Sequence, residues 1–338
     1  MIDFRYHLVS IVAVFLALAI GIVIGASALQ PEVLRVFNRE SSNEQRQINS
    51  ARSNIRNLEN ELGTNQAFAQ SAAPLLLDHL LADQQVVLVT APGADATTVS
   101  GVTAALKLAG ATITTQVALQ PAFFGTSAAT RSSLETLAQQ VEPTGLVLQT
   151  PPPGANPQIA GQQDAAQVLA AALVTKNGSD LPPDQAATVL NGFTQQGFVQ
   201  LSTSGTPPQA TLAVVIIPGS PPATDADPAN LALISVADQL SLSSRGVVVA
   251  GSLSGSGSGS AIDELINGNT NVQLSTVNNA DKEIGQIIVV QALSSLLAGH
   301  KPQAYGVGAA VPTPAPTPSP TPSPTSTATA APRRAGRA

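Results

Sequence analysis

The chain has 338 residues, of which 43% are hydrophobic and only 11% charged, so it has enough apolar residues for a buried core but few charges for its surface. Its net charge is −6, and residues 63–311 hold fifteen acidic against six basic side chains, which argues against binding to the phosphate backbone of nucleic acid. The absence of cysteine excludes disulfide bonds, thiolate catalysis and cysteine-ligated metals.

The first predicted element is a membrane-spanning helix at residues 8–29. These twenty-two residues carry no charge, and at about 1.5 Å per residue they span the roughly 30 Å hydrocarbon layer of a bilayer. A cleavable signal peptide is the alternative, because Ala26-Ser27-Ala28 resembles a cleavage site. We favour an uncleaved single-pass anchor at residues 1–30, because the apolar run exceeds a typical signal-peptide core and a helical pattern follows it.

Small residues recur at every fourth position of this helix, at Ala13, Ala17, Gly21 and Gly25. Such a stripe allows two helix backbones to approach closely, so it predicts self-association or pairing with another membrane helix. The alternative is chance, because small residues are frequent in an alanine-rich chain. Basic residues stand on both sides of the span, so the positive-inside rule does not decide its orientation.

Residues 31–82 are predicted to form a coiled-coil stalk that begins after Pro31. Apolar positions step by three and four along a heptad seam with two polar interruptions. The seam consists of Leu34, Phe37, Ser41, Glu44, Ile48, Ala51, Ile55, Leu58 and Leu62. A helix over this seam would extend roughly 43 Å and hold the following domain away from the bilayer. A solitary amphipathic helix folded back on that domain is the alternative, and the number and direction of strands stay open.

Residues 83–307 are predicted to form a Rossmann-like or flavodoxin-like α/β domain. Near-continuous apolar strands that alternate with helices are typical of a parallel sheet covered on both faces. The predicted strands are 86–90, 112–119, 146–149, 212–217 and 247–250, and the predicted helices are 97–108, 127–141, 165–176, 183–194, 228–242 and 282–298. The last helix is almost wholly apolar but too short for a second span, so we expect it to be buried or to face a partner.

The loops after the strands offer little chemistry. The loop at residues 251–260 (GSLSGSGSGS) follows a strand and precedes a helix, as a phosphate-binding loop does, but it does not complete the dinucleotide-binding pattern. Strict glycine–serine alternation is equally typical of a flexible linker, which is the interpretation we favour. Asp225 and Asp227 form the best pair of carboxylates for acid–base work or a hard cation, although an aspartate-rich solvated turn accounts for them more simply.

Hydrolase patterns are also missing. The chain contains no G-x-S-x-G motif, and its three histidines, His7, His79 and His300, lie in three different segments. We therefore predict a non-enzymatic protein without a cofactor.

Residues 308–338 form a Pro/Thr/Ser-rich tail (VPTPAPTPSPTPSPTSTATAAPRRAGRA after residue 310). Such a composition cannot bury apolar surface, so it predicts a disordered segment with polyproline character. Tails of this kind cross cell-wall layers or carry O-linked sugars, and cytoplasmic linkers look the same.

The opening sequence resembles the amino terminus of the actinobacterial MctB family, which includes the SteB proteins and whose members are described as copper transport proteins. The match is carried by Phe4, Arg5, Tyr6 and His7 before the span, by Ser10 and Phe15–Leu18 within it, and by Gly21 and Gly25. The order of span, coiled coil, α/β domain and low-complexity tail agrees as well.

The resemblance implies an envelope protein with a cytoplasmic amino terminus and most of its chain outside the cytoplasmic membrane. It also implies a part in copper efflux and a membrane partner of the SteA type, acting in cell-wall remodelling and cell separation.

The residue inventory itself predicts that any copper effect is indirect. Cu(I) sites are built from Cys and Met and Cu(II) sites from imidazoles, whereas this chain has no Cys, only the initiator Met and three scattered histidines. A single span also lacks a pore unless several copies pack together. Two functions remain: a non-catalytic coiled-coil adaptor on a membrane partner or on a second copy, which we prefer, and an oligomeric membrane component that transports copper directly.

Overall fold

A computed structural model describes residues 4–148, 157–176, 181–203, 205–220, 227–268, 272–308 and 315–316. Its contacts divide the chain into two compact units, Met1–Asn65 and Gln66–Ala338. The first unit is helical and the second is an α/β sheet domain, which confirms the coarse architecture expected from the sequence. The division falls before the boundary that the sequence suggested between residues 82 and 83.

Helix α1 runs over 74 residues from Phe4 to Leu77. It continues through Pro31, where the sequence favoured a break or a new helix start. Proline lacks the backbone N–H and removes one hydrogen bond, but its fixed φ angle of about −65° is compatible with a helix. The predicted membrane helix and the predicted stalk are therefore parts of one helix.

The second unit is built on a seven-stranded sheet. Its strands are β1 (Gln85–Thr90), β2 (Thr112–Leu119), β3 (Val199–Leu201), β4 (Leu212–Ile216), β5 (Gly246–Ala250), β6 (Ser275–Val277) and β7 (Ala304–Tyr305). The strand order is β3-β2-β1-β4-β5-β6-β7. All neighbours pair in parallel except β2 and β3, which are antiparallel. The sheet is therefore mixed rather than wholly parallel.

Helices cover both faces of this sheet. They are α2 (Ala96–Leu108), α3 (Ala128–Gln140), α4 (Ala160–Leu173), α5 (Pro183–Gln195), α6 (Asp227–Ser243), α7 (Ala261–Asn267) and α8 (Glu283–Leu297). Side chains of Asp95, Ser127 and Ser260 accept hydrogen bonds from the first turns of α2, α3 and α7. These residues are typical helix N-caps, which explains where the three helices begin.

The alternation of strand residues produces two hydrophobic cores. Val87 and Val89 of β1 face the side of α3 to α7, whereas Val86 and Leu88 face the side of α2, α8 and the end of α1. Successive strand residues point to opposite faces, so a fully apolar strand is expected where both faces are covered. β4 and β5 are buried at every position.

Helix α8 is a core helix. Gln286 and the residues from Ile287 to Val290 are buried, which confirms the prediction of a buried apolar helix and assigns its apolar surface to the domain interior. The end of α1 joins the same core through Ala69, Ala73 and Leu77, which lie four residues apart and are almost wholly buried. This spacing places the three side chains on one face of the helix.

One predicted strand is wrong. Residues 146–148 form an irregular segment in which Leu146 and Leu148 pack against the core while Val147 is 77% exposed. The inward-facing Leu146 and Leu148 therefore belong to a loop that packs on the domain and not to a strand. The Leu148 N–H holds this loop by donating to the Glu142 carboxylate at 3.4 Å. The sequence also missed the three short strands β3, β6 and β7.

Most of the tail lies outside the described residues, as does Asp225. The predicted disorder of the tail and the pairing of Asp225 with Asp227 therefore stay predictions. Asp227 is the first residue of α6.

Candidate functional site

The first candidate surface is the apolar stretch Tyr6–Gly25 of α1, which has the length and composition of a membrane span. Its large apolar side chains between Leu8 and Ile24 are all more than half exposed. Such a surface is stable only in lipid or against another apolar surface. The structure therefore confirms an amino-terminal apolar helix of membrane length. A signal peptide would have the same length and composition, so the uncleaved state stays a prediction.

The small-residue stripe lies within this stretch. A Cβ atom added to Gly21 or Gly25 would meet no atom within 4 Å, so this face is open in the single chain. Tyr6 is 75% exposed and His7 is exposed, whereas the side chains of Phe4 and Arg5 lie outside the described residues. Pairing through Ala13, Ala17, Gly21 and Gly25 stays a prediction.

The second candidate surface is the heptad seam of α1. Ile48, Ile55, Leu58 and Leu62 are between 45% and 59% exposed, and Ala51 between them is exposed as well. Leu34, Phe37, Ser41 and Glu44 lie in the helical backbone, but their side chains are not described. Within the first unit the described half of the seam is an uncovered apolar stripe, and its packing in a coiled coil stays a prediction.

The glycine-rich loop at residues 251–260 is packed against the domain. The Ser252 and Ser254 hydroxyls both donate to the Gly219 carbonyl oxygen, at 3.1 and 2.9 Å. A Cβ atom on Gly255 would overlap the Pro218 carbonyl oxygen, so glycine is required for this close approach. The flexible-linker interpretation is therefore wrong, because the loop is fixed by hydrogen bonds and close contacts.

The same loop is also poorly suited to phosphate. The Gly259 N–H donates to the Asp263 carboxylate at 2.8 Å, and the Gly255 N–H donates to the Ser252 hydroxyl at 3.1 Å. Donors that a phosphate would need are thus already used, and the Asp263 carboxylate would repel an anion.

The loop after β1 is closed in a similar way. The Gly219 N–H donates to the Gly93 carbonyl oxygen at 2.9 Å, which joins the loops that follow β1 and β4. Asp95 caps α2 and accepts from the Thr97 hydroxyl and from the Thr98 N–H and hydroxyl. These hydrogen bonds, with that of the Thr97 side chain foremost, lower the pKa of Asp95 from 3.8 to about 2. The carboxylate is therefore a structural cap rather than a general acid or base.

The three histidines lie in separate elements. His7 is in the amino-terminal part of α1, His79 is in the turn after α1, 3.4 Å from the Asp78 carboxylate, and His300 follows α8 with its Nδ1 3.1 Å from the Ser295 carbonyl oxygen. Among the residues that the structure describes, no group of three His, Asp or Glu side chains is placed to hold a metal ion.

A groove that the sequence did not predict lies between α2 and the sheet surface formed by β2 and β3. Its volume is about 970 Å³, and its polar lining includes Ser100, Thr103, Gln116, Gln120, Gln200 and Ser202. The helices on this side of the sheet pack into a core that includes residues of β1 and of β4 to β7, and Gln116 and Gln200 do not belong to it. Gln200 and Ser202 lie beside Gln116 through the pairing of β2 with β3, and the sequence did not predict β3.

Comparison with known proteins identifies relatives along most of the chain. A family model described as "Copper transport outer membrane protein, MctB" matches residues 1–316. Proteins named "Copper transporter MctB" from Mycobacterium tuberculosis (strain ATCC 25618 / H37Rv) and Mycobacterium leprae (strain TN) are each 26% identical, over 314 and 316 residues respectively. Both alignments cover 91% of this chain and 97% of the relative. The resemblance recognised in the amino-terminal residues is thereby confirmed.

Proposed function

Because the chain belongs to the MctB family of copper transport outer membrane proteins, we propose that it acts in the cell envelope as a non-enzymatic, single-pass adaptor. In this proposal the apolar start of α1 anchors the chain in a membrane, and the heptad seam pairs with a helical partner. The observation that carries the proposal is the uncovered seam of Ile48, Ile55, Leu58 and Leu62.

The seam has the chemistry of a pairing surface. Full burial of a large aliphatic side chain contributes about 1.5–3 kcal/mol, so covering these half-exposed residues would stabilise an assembly substantially. Ile48 and Ile55 occupy the first position of their heptads and Leu58 the fourth. Isoleucine and leucine in these positions favour two-stranded parallel coiled coils.

The partner that the family resemblance suggests is a membrane protein of the SteA type, with a second copy of the chain as the other partner of the same seam. The same resemblance gives the orientation in this proposal, with the amino terminus cytoplasmic and the sheet domain outside the cytoplasmic membrane. The adaptor would act in envelope remodelling and cell separation through these contacts.

In this proposal copper is bound and transported by other proteins. The chain offers no thiolate, one initiator thioether and three imidazoles in separate elements, whereas tight copper sites combine two or more such ligands. We therefore propose that copper effects arise indirectly, through a partner or through the permeability of the envelope.

The hydrogen bonds between the loops of the sheet domain support a non-enzymatic function. In open α/β sheets, ligands bind beyond the carboxyl ends of the strands where the strand order reverses. Here the loops after β1, β4 and β5 are hydrogen-bonded to one another through Gly93, Gly219 and Ser252. Counted among the parallel strands alone, the first five have the order 2-1-3-4-5, which supports a flavodoxin-like type.

An oligomeric copper transporter is the second candidate, because the relatives are named copper transporters. The open stripe of Gly21 and Gly25 would suit the association of several spans. Copper flux through reconstituted bilayers that rises with oligomerisation would favour this candidate over the adaptor.

The adaptor proposal is tested by recovering the full chain from detergent-solubilised membranes with its bound proteins. We expect one dominant membrane protein to be retained by the natural chain and lost when Ile48, Ile55 and Leu58 are replaced by asparagine. Asparagine has a helix propensity close to that of isoleucine, so the helix itself should persist.

The matched control keeps the seam and changes polar positions away from it, through Ser50→Asn, Ser53→Asn and Asn57→Ser. This control should retain the partner as the natural chain does. Equal retention by the seam variant, or equal loss from the control, would contradict pairing through the seam.

A further inference from the structure

We infer that the groove between α2 and the β2–β3 surface, together with a smaller apolar cavity beside it, binds a neutral oligosaccharide. Both cavities are formed by residues of the second unit. The inference is independent of the adaptor proposal, because it concerns neither the seam nor the membrane span.

The two cavities lie where open α/β sheets bind ligands. Such ligands lie beyond the carboxyl ends of the strands, at the point where the strand order reverses. Here the order reverses at β1, because β2 lies on one side of it and β4 on the other. The smaller cavity has a volume of about 220 Å³, and its lining includes Pro92, Pro121 and Pro218, which follow β1, β2 and β4. Ala91, Pro92 and Pro121 line both cavities, so the two adjoin.

The polar wall of the groove is a face of the sheet and not its edge. Gln116 and Ala118 are alternate residues of β2 and therefore share a face, and Gln200 of β3 pairs with Ala118. The backbone of β2 is paired here with β1 on one side and with β3 on the other, so side chains are what the wall offers to a ligand. An extended peptide would instead add to a free strand edge through its backbone.

The carboxamides of this wall are held in place. The Gln116 Nε2 donates to the Thr103 hydroxyl at 3.3 Å, and the Gln120 Nε2 donates to the Ala118 carbonyl oxygen at 3.1 Å. Each carboxamide still has a second hydrogen to donate and an oxygen that accepts, and a sugar hydroxyl both donates and accepts. Because these side chains are already oriented in the free protein, less conformational freedom is lost when a sugar binds.

The charges favour a neutral ligand. Lys107 is the one charged residue among the described residues that line the two cavities. An anionic ligand would be expected to meet several cations or a bidentate arginine, and a cationic ligand would need acidic partners. The N-terminus of α2 is unsuited to an anion as well, because the Asp95 carboxylate accepts from the Thr98 N–H there at 2.9 Å and would repel it.

The smaller cavity suits one face of a sugar ring. A pyranose ring carries C–H groups on its faces and hydroxyls around its rim, so its faces pack on apolar and aromatic side chains. Phe124, Leu233 and the three prolines supply such a surface. Asn230 is the polar residue of this lining, and its Nδ2 donates to the Gly259 carbonyl oxygen at 2.7 Å. Its carboxamide oxygen is left to accept from a sugar hydroxyl.

The volumes fit a chain of several sugar units. Sites for small molecules have volumes of about 300–1,000 Å³, and the groove alone, at about 970 Å³, lies at the upper end of that range. Glycoside hydrolysis requires a pair of carboxyl groups, which the described lining residues lack. The site therefore binds the oligosaccharide without cleaving it, in keeping with a non-enzymatic protein.

The test is saturation-transfer difference NMR on the full chain in a polyoxyethylene detergent, which has no sugar headgroup. The probes are three neutral tetrasaccharides, cellotetraose, mannotetraose and chitotetraose, with tetragalacturonate as an anionic probe of the same length. Micelles without protein give the background. We expect saturable transfer to at least one neutral tetrasaccharide and none to tetragalacturonate.

Two variants of the groove locate the binding. Gln116→Leu with Gln200→Leu should weaken it by about tenfold or more, as the loss of two hydrogen bonds does. Ala104→Trp should abolish it by filling the groove from an exposed position of α2, where the substitution leaves the fold intact. Ala229→Phe should weaken it by narrowing the smaller cavity.

The matched control is Gln139→Leu with Gln195→Leu, which removes two exposed carboxamides outside both linings and should leave binding unchanged. Circular dichroism establishes that each variant is folded as the natural chain is.

Absence of saturable transfer to all three neutral tetrasaccharides would overturn the inference. Binding that persists unchanged in both groove variants, or that is as tight for tetragalacturonate, would overturn it as well. Saturable binding of a neutral octapeptide of serine, threonine and alanine, with no binding of an oligosaccharide, would assign the groove to a peptide and contradict the inference.

Discussion

The side chain of Asn278 binds both backbone polar groups of Val307. Its Nδ2 donates to the Val307 carbonyl oxygen at 2.7 Å, and its Oδ1 accepts from the Val307 N–H at 2.9 Å. Asn278 follows β6 and is buried, and Gly306 has a φ angle of 129°, with no room for a Cβ atom beside Asn278. This pair of bonds attaches the chain that follows the edge strand β7 to the end of the neighbouring strand β6.

Asn278→Ala is therefore expected to lower the free energy of unfolding of the sheet domain by about 2 kcal/mol, because each hydrogen bond contributes about 1 kcal/mol. Denaturant unfolding followed by circular dichroism measures this change. The control is Asn267→Ala, which removes one exposed hydrogen bond to Asp263 and should cost well under half as much. Equal effects of the two substitutions would show that the Asn278–Val307 bonds add nothing.

Close approach of α4 to α3 depends on Gly161. A Cβ atom at this position would overlap the carbonyl oxygen of Arg131 in the α3 backbone. Gly161→Ala should lower the free energy of unfolding by about 1–3 kcal/mol, as overpacking against rigid atoms does. Gly257→Ala is the control, since its Cβ would lie 3.8 Å from the Ser254 carbonyl oxygen, an ordinary contact. A Gly161→Ala protein as stable as the control would contradict the observed packing.

The cap at Asp95 predicts a pH dependence at the acidic end. Because hydrogen bonds lower the pKa of Asp95 from 3.8 to about 2, its stabilisation is complete well above pH 3.8 and is lost as the pH falls towards 2. The difference in Tm between the natural chain and Asp95→Ala should shrink over this interval. Asp95→Asn does not titrate at this position, so its difference from Asp95→Ala should stay nearly constant. A natural-chain difference that is also constant would contradict the lowered pKa.

The proposed anchor predicts where the full chain is found. A carboxyl-terminally tagged chain should stay in the membrane fraction after alkaline carbonate extraction and should begin at Met1. Replacing Val14 and Leu18 with lysine should release it into the soluble fraction, because each lysine near the centre of a span costs about 2.5–3.5 kcal/mol. Val14→Leu with Leu18→Val should leave it membrane-bound. A soluble natural chain lacking its first residues would establish the signal-peptide alternative instead.

The sequence was a good guide where the hydrophobic period was long and the element was central. The second predicted strand coincides with β2, and the first differs from β1 by one residue. The short strands failed because two or three residues carry no period: β3 and β7 are edge strands of three and two residues. The segment at 146–148 failed for the opposite reason, since an apolar run packed on a core looks like a strand whether or not it joins the sheet.

The candidate surfaces likewise include one that the sequence predicted and one that it missed. The membrane-length helix was evident from its uncharged run, because a single property decides it. The groove beside Gln116 and Gln200 was not, because these residues are 84 positions apart and meet only through the antiparallel pairing of β2 with β3. The packing of the glycine-rich loop depends likewise on Gly219, which lies in another loop.

The proposed adaptor function is tested most directly in cells whose sole copy of the chain is replaced by variants, with copper tolerance and cell separation as the readouts. One variant carries Ile48→Asn, Ile55→Asn and Leu58→Asn, and the other replaces all three histidines, His7, His79 and His300, with asparagine. If the chain is an adaptor without a copper site, the seam variant behaves as a deletion, while the histidine variant, made in equal amounts, behaves as the natural chain. Loss of copper tolerance in the histidine variant with normal function of the seam variant would contradict it.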